Sequence, residues 1–313
     1  MDSIILAFKV VFPIMLYVSI GYFLKSKKLY NEKSIKVVNE LVFKLFLPCL
    51  LFYNIYTTKI DKIFDAKLII YTVIFVVILF VMLMLISPLF IKDKSKCSVF
   101  IQGIFRSNFV LFGLPVTASL MGEGNTGLTS ISIAFIVPLY NVLAVICLET
   151  FRKNKVNFFN ILKGIVKNPL IISSILGVIF LAFKIKMPDF CDNVVRDLSR
   201  VATPLALIGL GGTFTFNTVK GNTKILTPLL CLKLLIVPAT AIFTGAYVFG
   251  FRGAAITTLI SATASPTAVS SFTMAQSMGG DSDLAAQTVV FTSVFSILTV
   301  FIIVAVTKSL NLF

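Results

Sequence analysis

The feature that most constrains this chain is a succession of apolar blocks, separated by short polar stretches. About 20 apolar residues in a helix are needed to cross a hydrocarbon core ~30 Å thick. Only 13% of the 313 residues are charged, against about 25% in ordinary soluble proteins. The blocks run approximately over 4–24, 36–57, 68–91, 98–121, 127–149, 161–183, 199–217, 225–249, 254–278 and 284–307. They predict an all-α membrane protein with ten transmembrane helices, forming one integrated domain over 1–313.

The net charge of +15 would suggest nucleic-acid binding in a soluble protein. Here the basic residues lie in short loops, as the positive-inside rule describes. The first, third and fifth loops carry Lys25, Lys27, Lys28, Lys33, Lys92, Lys94, Lys96, Arg152, Lys153 and Lys155. The second and fourth loops, with Lys59, Asp61, Lys62 and Glu123, are poorer in net positive charge, whereas the sixth is mixed. We therefore predict a cell-membrane protein with odd-numbered loops in the cytoplasm, both termini extracytoplasmic, and no nucleic-acid partner.

Residues suited to catalysis or metal binding are scarce. The five cysteines show no paired spacing, and histidine is absent. An intramembrane hydrolase would need a mid-span aspartate pair or an HExxH motif, and the sequence has neither. We predict no enzyme activity, no metal and no cofactor. The start, Met1-Asp2-Ser3, lacks the basic region of a cleavable signal peptide, so the first block is predicted to be a retained span.

Three pairs of features recur in the same order in both halves of the chain. They are Lys44 to Pro48 with Arg200 to Pro204, Gly113-Leu-Pro115 with Ala264-Ser-Pro266, and Met121-Gly122 with Met278-Gly279. An odd number of spans per repeat would invert the second copy. We predict two inverted five-helix repeats, 1–150 and 160–313, joined by a short basic cytoplasmic linker at 151–159. The alternative is that Pro and Gly are merely frequent in membrane helices.

Two mid-span prolines, Pro115 and Pro266, predict helix breaks in the fourth and ninth spans. A proline removes one backbone hydrogen bond, and the freed carbonyl must face protein or a water-filled cavity. The polar residues around the breaks are Arg106, Ser107, Asn108, Thr117, Thr263, Ser265, Thr267, Ser270, Ser271 and Thr273. Paired breaks with such residues predict a binding site near the membrane midplane. Close helix packing is the alternative explanation for the small polar residues.

At these residues the chain resembles the auxin efflux carrier family, which includes bacterial malate and malonate permeases. The resemblance lies in Arg106-Ser-Asn-Phe-Val-Leu-Phe-Gly-Leu-Pro115, in Pro138-Leu-Tyr-Asn141, and in the stretch from Ser265 to Asp281. It covers essentially the whole chain. It implies a scaffold domain and a transport domain, broken fourth and ninth helices that cross, and a homodimer. It also implies substrate contacts at Asn108, Gly113, Pro115, Ser265 and Pro266. We add Asn141, Thr267 and Ser271 as further candidates for substrate binding.

Three cationic side chains are candidates for attracting an anionic substrate. Arg106 lies beside Asn108, and Lys44 and Lys233 fall inside the second and eighth blocks. A buried ammonium group is costly and is a functional candidate, although a long lysine stem can also reach the interface. Gly209, Gly211 and Gly212 indicate either a close-packing surface or an unwound segment.

The leading functional hypothesis is a secondary transporter that moves small carboxylates, such as dicarboxylates or auxin-like acids, by alternating access. Its predicted partners are the substrate, the lipid bilayer and a second copy of the chain. A carrier-like membrane sensor that binds a ligand without moving it is the main alternative, and a channel stays open as a third. The sequence does not identify the substrate, the direction or the coupling ion.

Overall fold

A computed structural model describes residues 2–58, 64–122, 125–152 and 158–313, and these residues contain helices and no strand. The α-helices are α1 (Asp2–Ser26), α2 (Glu32–Leu41), α3 (Leu47–Tyr56), α4 (Ala66–Phe90), α5 (Lys94–Phe105), α6 (Leu114–Met121), α7 (Gly127–Thr150), α8 (Phe158–Lys167), α9 (Pro169–Ala182), α10 (Asp189–Thr213), α11 (Val219–Cys231), α12 (Val237–Phe243), α13 (Ala254–Thr263), α14 (Val269–Met278) and α15 (Ser282–Ser309). The predicted all-α class is confirmed.

Five helical stretches in the described chain are long and apolar enough to cross a membrane. They are Ala66–Phe90, Lys94–Met121, Gly127–Thr150, Val219–Val248 and Ser282–Ser309. Shorter apolar stretches cover Val11–Ser26, Pro169–Ala182 and Ala254–Thr263. The number of crossings therefore stays a prediction.

The block predicted at 161–183 is divided into two helices, α8 and α9. Asn168 follows the last residue of α8 and caps the start of α9, because its side-chain oxygen accepts a hydrogen bond from Leu170 N at 2.9 Å. Pro169 occupies the first position of α9, where its missing N–H is not needed. The apolar run of α9 is 14 residues long, shorter than the single span predicted there.

Short π-helical segments interrupt three helical stretches, each just before a helix with proline at its second position. The segments are Val42–Phe46, Phe109–Gly113 and Leu232–Ile236. In each case the residue before the proline donates to the carbonyl five residues earlier. The wider turn accommodates a proline ring that would clash with the carbonyl four residues back. A fourth π segment, Thr244–Val248, follows α12.

We distinguish two groups of helices, which also pack closely on each other. In the first group, α1 packs on α10, and α3 packs on both α9 and α10. In the second, α4 packs with α5 and α7, α13 with α6 and α7, and α11 and α14 with α15. The groups meet where α1 contacts α15 and where α14 contacts α2 and α10.

Glycines bring α1 and α10 into close contact. A Cβ atom on Gly211 would overlap the carbonyl oxygen of Val18, and one on Gly21 would overlap that of Ile208. Gly209 lies against the side chain of Asn39. Since α10 is helical throughout Asp189–Thr213, the glycines serve close packing, and the unwound-segment alternative is wrong.

The connections cluster at two opposite ends of the molecule. At the basic end, which carries Lys25, Lys36 and Lys96, Asp281 N donates to Ser95 O at 3.3 Å, so the connections after α4 and α14 are neighbours. At the terminal end, Lys67 Nζ donates to Phe249 O at 2.7 Å, and Gly253 N donates to Leu312 O at 2.8 Å.

The C-terminus therefore lies at the same end as the start of α4 and the connection before α13. The side of the membrane on which this end lies stays a prediction. The predicted loop charges at Lys59, Asp61, Lys62, Glu123, Lys153 and Lys155 lie outside the described residues.

Candidate functional site

The first helix break follows α5. Arg106 has an extended backbone, and helix resumes only at Phe109 as a π segment. The backbone N–H of Asn108 donates to the carbonyl of Pro266 at 2.7 Å, which joins this break directly to the second one. We call the contact between 106–108 and 264–268 the crossing.

The second break separates α13 from α14, and protein groups satisfy its backbone. Thr267 N donates to Thr292 Oγ1 at 3.1 Å, and Thr267 Oγ1 donates to Gly103 O at 2.6 Å. The hydroxyl of Ser265 donates to Ser261 O at 2.5 Å. Both helical stretches are interrupted, but the first interruption lies at 106–108 and not at Pro115, where the chain is helical. Both interruptions face protein, because α5 and α13 are buried over most of their length.

Small residues allow the two broken helices to touch. A Cβ on Gly113 would lie 2.7 Å from the carbonyl oxygen of Ser261, so a larger residue would push the helices apart. Beside this contact, Thr117 Oγ1 and Ser261 Oγ are 2.7 Å apart. Pro115 is the second residue of α6 and directly follows the π segment Phe109–Gly113, whose wider turn accommodates the ring and the missing N–H.

Arg106 is buried at the crossing, with 2% of its surface exposed. Its NH2 group donates to Asn141 Oδ1 at 2.9 Å and to Ser270 Oγ at 2.8 Å, and NH1 contacts Met274 Sδ at 2.9 Å. The guanidinium group therefore links α7 and α14. None of the ion pairs in the described chain includes it.

A second buried cation, Lys233, reaches the crossing from the π segment Leu232–Ile236. Its Nζ donates to Ser107 Oγ at 2.5 Å and to Thr263 O at 3.4 Å. It too has no carboxylate partner among the described residues.

A small pocket of about 60 Å³ adjoins the crossing. Its wall combines both breaks with α3, α7 and α10: Leu47, Leu50, Leu51, Asn54, Arg106, Ser107, Asn108, Phe109, Val110, Leu111, Val137, Tyr140, Asn141, Thr203, Ala206, Ala268, Val269 and Ser270. Helix α14 begins here at Val269 without a side-chain cap. Within the described structure, Asn108 Nδ2, Asn141 Nδ2 and Arg106 Nε are buried donors without a partner. The pocket is therefore rich in donors, and the start of α14 adds a positive dipole end.

The predicted site residues do not all lie together. Asn108, Asn141 and Arg106 line the pocket, whereas Ser265, Pro266 and Thr267 belong to the crossing. Gly113 lies against Ser261 of α13, and Pro115 lies in α6; neither is in the pocket wall. Ser271 is buried, its hydroxyl has no partner among the residues that the structure describes, and it is not in the pocket wall.

Lys44 lies elsewhere. Its side chain is 65% exposed and pairs with Glu40 at 2.5 Å, so the structure does not bring it to the crossing.

Sequence reasoning missed the pocket side chains of Tyr140 and Asn54, and the anchoring atoms Met274 Sδ and Thr263 O. Tyr140 lies next to Asn141 in the stretch from Pro138 to Asn141 that resembles the family. That neighbourhood is the sequence feature that could have indicated Tyr140 as a pocket residue. Its hydroxyl donates to Ala262 O at 3.2 Å.

Long apolar helices, two broken and joined at a buried polar pocket, define a multi-pass helical membrane protein of the transporter class. The chain belongs to the auxin efflux carrier family: the profile described as "Membrane transport protein" matches residues 6–304. An uncharacterized transporter of Methanocaldococcus jannaschii is 25% identical over 300 residues, covering 93% of this chain and 96% of the relative. An uncharacterized transporter of Methanothermobacter thermautotrophicus is 25% identical over 301 residues, covering 92% and 94%.

Proposed function

We propose that this chain is a secondary transporter that carries small organic anions, mono- or dicarboxylates, through the pocket beside the crossing by alternating access. In this proposal α1, α3, α9 and α10 form the scaffold, and the second helix group forms the transport domain. The basic end faces the cytoplasm, both termini lie outside, and the chain acts in the cell membrane as a homodimer, as in the family.

The observation that carries the proposal is the excess of buried positive charge. Arg106 and Lys233 lie at the crossing without a carboxylate partner among the described residues. A charged side chain deep in the membrane costs about 2.5–3.5 kcal/mol on insertion scales. An anion bound in the pocket would offset part of that cost, because opposite charges attract strongly away from water.

The arrangement of the pocket wall favours a carboxylate with a short apolar body. Asn108 Nδ2 and Arg106 Nε can donate to carboxylate oxygens, and neither is used by the protein in the described chain. Leu47, Leu51 and Val137 form an apolar part of the wall. A volume of about 60 Å³ suits a molecule of only a few heavy atoms in this conformation.

The pocket also supports alternating access, since its wall comes from both helix groups. Leu50 and Ala206 belong to the first group, while Asn108 and Val269 belong to the second. A shift of one group against the other would open the pocket toward a different end.

The test is counterflow in proteoliposomes. Labelled malate, malonate and a panel of monocarboxylates are offered to the wild type, to Arg106→Gln and to Lys44→Ala. We expect accelerated exchange of at least one acid by the wild type, its loss in Arg106→Gln, and no loss in Lys44→Ala, whose side chain is exposed. Binding of a carboxylate without any exchange would favour the sensor, and absence of both would contradict the proposal.

A further inference from the structure

Two oxygen atoms, one from each helix break, converge on the ammonium group of Lys233. They are the hydroxyl of Ser107, 2.5 Å from Nζ, and the carbonyl of Thr263, 3.4 Å from it. The side chain of Lys233 is completely buried, with 0% exposed. Ser107 belongs to the pocket wall but Lys233 does not, so the ammonium group lies behind the wall rather than in it.

The two oxygen atoms around this ammonium group are of the kind that small cations take as ligands. Thr263 is the last residue of α13, and the final carbonyls of a helix carry partial negative charge. Carbonyl and hydroxyl oxygens are the ligands that hard cations prefer. An ammonium group has three donors, and two of them meet the two breaks.

We propose that Lys233 is a resident cation, that is, a side chain whose charge takes the place of a bound inorganic ion. Its ammonium group fills a monovalent-cation site built by Ser107 and Thr263, and thereby fixes the two breaks relative to each other. Removing the side chain leaves a site that takes a small ammonium or alkali-metal ion. The native chain, in contrast, needs no inorganic cation to assemble the crossing. The inference gives Lys233 a structural role beside the proposed transport site. This role can be tested without a substrate.

The experiment compares melting temperatures of Lys233→Ala, Lys233→Met and Lys44→Ala in detergent. Each is measured in choline chloride, then in ammonium, methylammonium, sodium and potassium chloride. We expect Lys233→Ala to melt roughly 5–10 °C lower than the wild type in choline, and to regain at least half of the loss with one of the small cations. Lys233→Met fills the space with an uncharged chain and should not respond, and Lys44→Ala should behave as the wild type.

A Lys233→Ala melting temperature that is the same in all five salts overturns the proposal, as does equal recovery in Lys233→Met. If Lys233→Ala does not fold, the proposal is tested on the wild-type protein. Its melting temperature should be the same in choline chloride as in sodium or potassium chloride. A clear requirement for sodium or potassium contradicts a resident cation. These measurements contain no carboxylate. Failure of rescue therefore leaves the transport proposal intact, and failure of transport leaves the rescue result standing.

Discussion

Replacing Asn108 with alanine should separate ligand binding from folding. The side-chain Nδ2 of Asn108 is buried and makes no hydrogen bond within the described structure. The bond that joins the breaks comes instead from the backbone N–H of Asn108 to Pro266 O, and alanine keeps it. The substitution therefore removes an unpartnered donor on a residue of the pocket wall and takes no hydrogen bond from the described fold.

The expected loss of affinity follows from the charge of the acceptor. A hydrogen bond to a charged group contributes about 1.5–3 kcal/mol, and each 1.4 kcal/mol changes a dissociation constant about tenfold. Asn108→Ala should thus weaken carboxylate binding about ten- to a hundredfold. Its melting temperature without ligand should be unchanged or slightly higher, because a buried unpaired donor is itself destabilising.

The assay is calorimetric titration of the purified protein with the best-bound carboxylate, paired with melting curves. Asn168→Ala is the matched control: Asn168 caps α9 through Leu170 N and is not in the pocket wall. Losing this cap costs about 1 kcal/mol, or roughly 2 °C, and should leave affinity unchanged. A lower melting temperature with unchanged affinity in Asn108→Ala would refute the reasoning and assign the amide to helix packing.

Two further predictions concern the fold. Gly211→Ala should lower the melting temperature by several degrees, because its Cβ would overlap the carbonyl oxygen of Val18, whereas Gly221→Ala has nothing within 4 Å and should lower it little or not at all. Equal effects of the two would contradict the close approach of α1 and α10. In a variant without native cysteines, single cysteines at Lys27 and Lys184 should react with an impermeant maleimide from opposite faces of the membrane, and labelling from one face would exclude the proposed topology.

The helices could be predicted because the bilayer sets the length of an apolar run. Proline indicated only which spans are interrupted: Pro266 lies in the second break, but the first break, at 106–108, precedes Pro115. Pro138, Pro204 and Pro228 lie inside continuous helices. The same reasoning failed at Pro169, where Asn168-Pro169 ends α8 and begins α9. That dipeptide was visible in the sequence, but the apolar residues on both sides of it suggested one span.

The two lysines show what sequence position cannot decide. Lys44 and Lys233 were equal candidates, each about eight residues inside an apolar block. Glu40, four residues before Lys44, forms a local helical pair with it. The partner of Lys233 is Ser107, 126 residues away. Only the fold brings the two together, so the local pair could be foreseen and the long-range contact could not.

Hydroxyl groups show the same division between local and long-range contacts. Ser265, just past the end of α13, donates to the carbonyl of Ser261, four residues earlier, which is a local bond that serine commonly forms. Thr267 donates to Gly103, on the other broken helix. Both residues were predicted to contact substrate, yet both donors are used within the protein. The free donors at the pocket are the amides of Asn108 and Asn141 and one nitrogen of Arg106, within the described part of the chain.

The pocket wall contains residues from both helix groups, so ligand binding in the pocket would depend on how the two groups are placed relative to each other. A ligand can shift a conformational equilibrium only as far as it binds one state better than the other. Arg106 and Asn108 come from one helix group, and Leu50 and Ala206 come from the other. Under the proposed alternating access, a carboxylate that contacts both groups would change its interactions if one group moved against the other. At the basic end the amide of Asn39 donates to Gln276 and joins α2 to α14 across the same boundary. Movement of α14 away from α2 would break this bond, so closure at that end and the shape of the pocket depend on the same boundary.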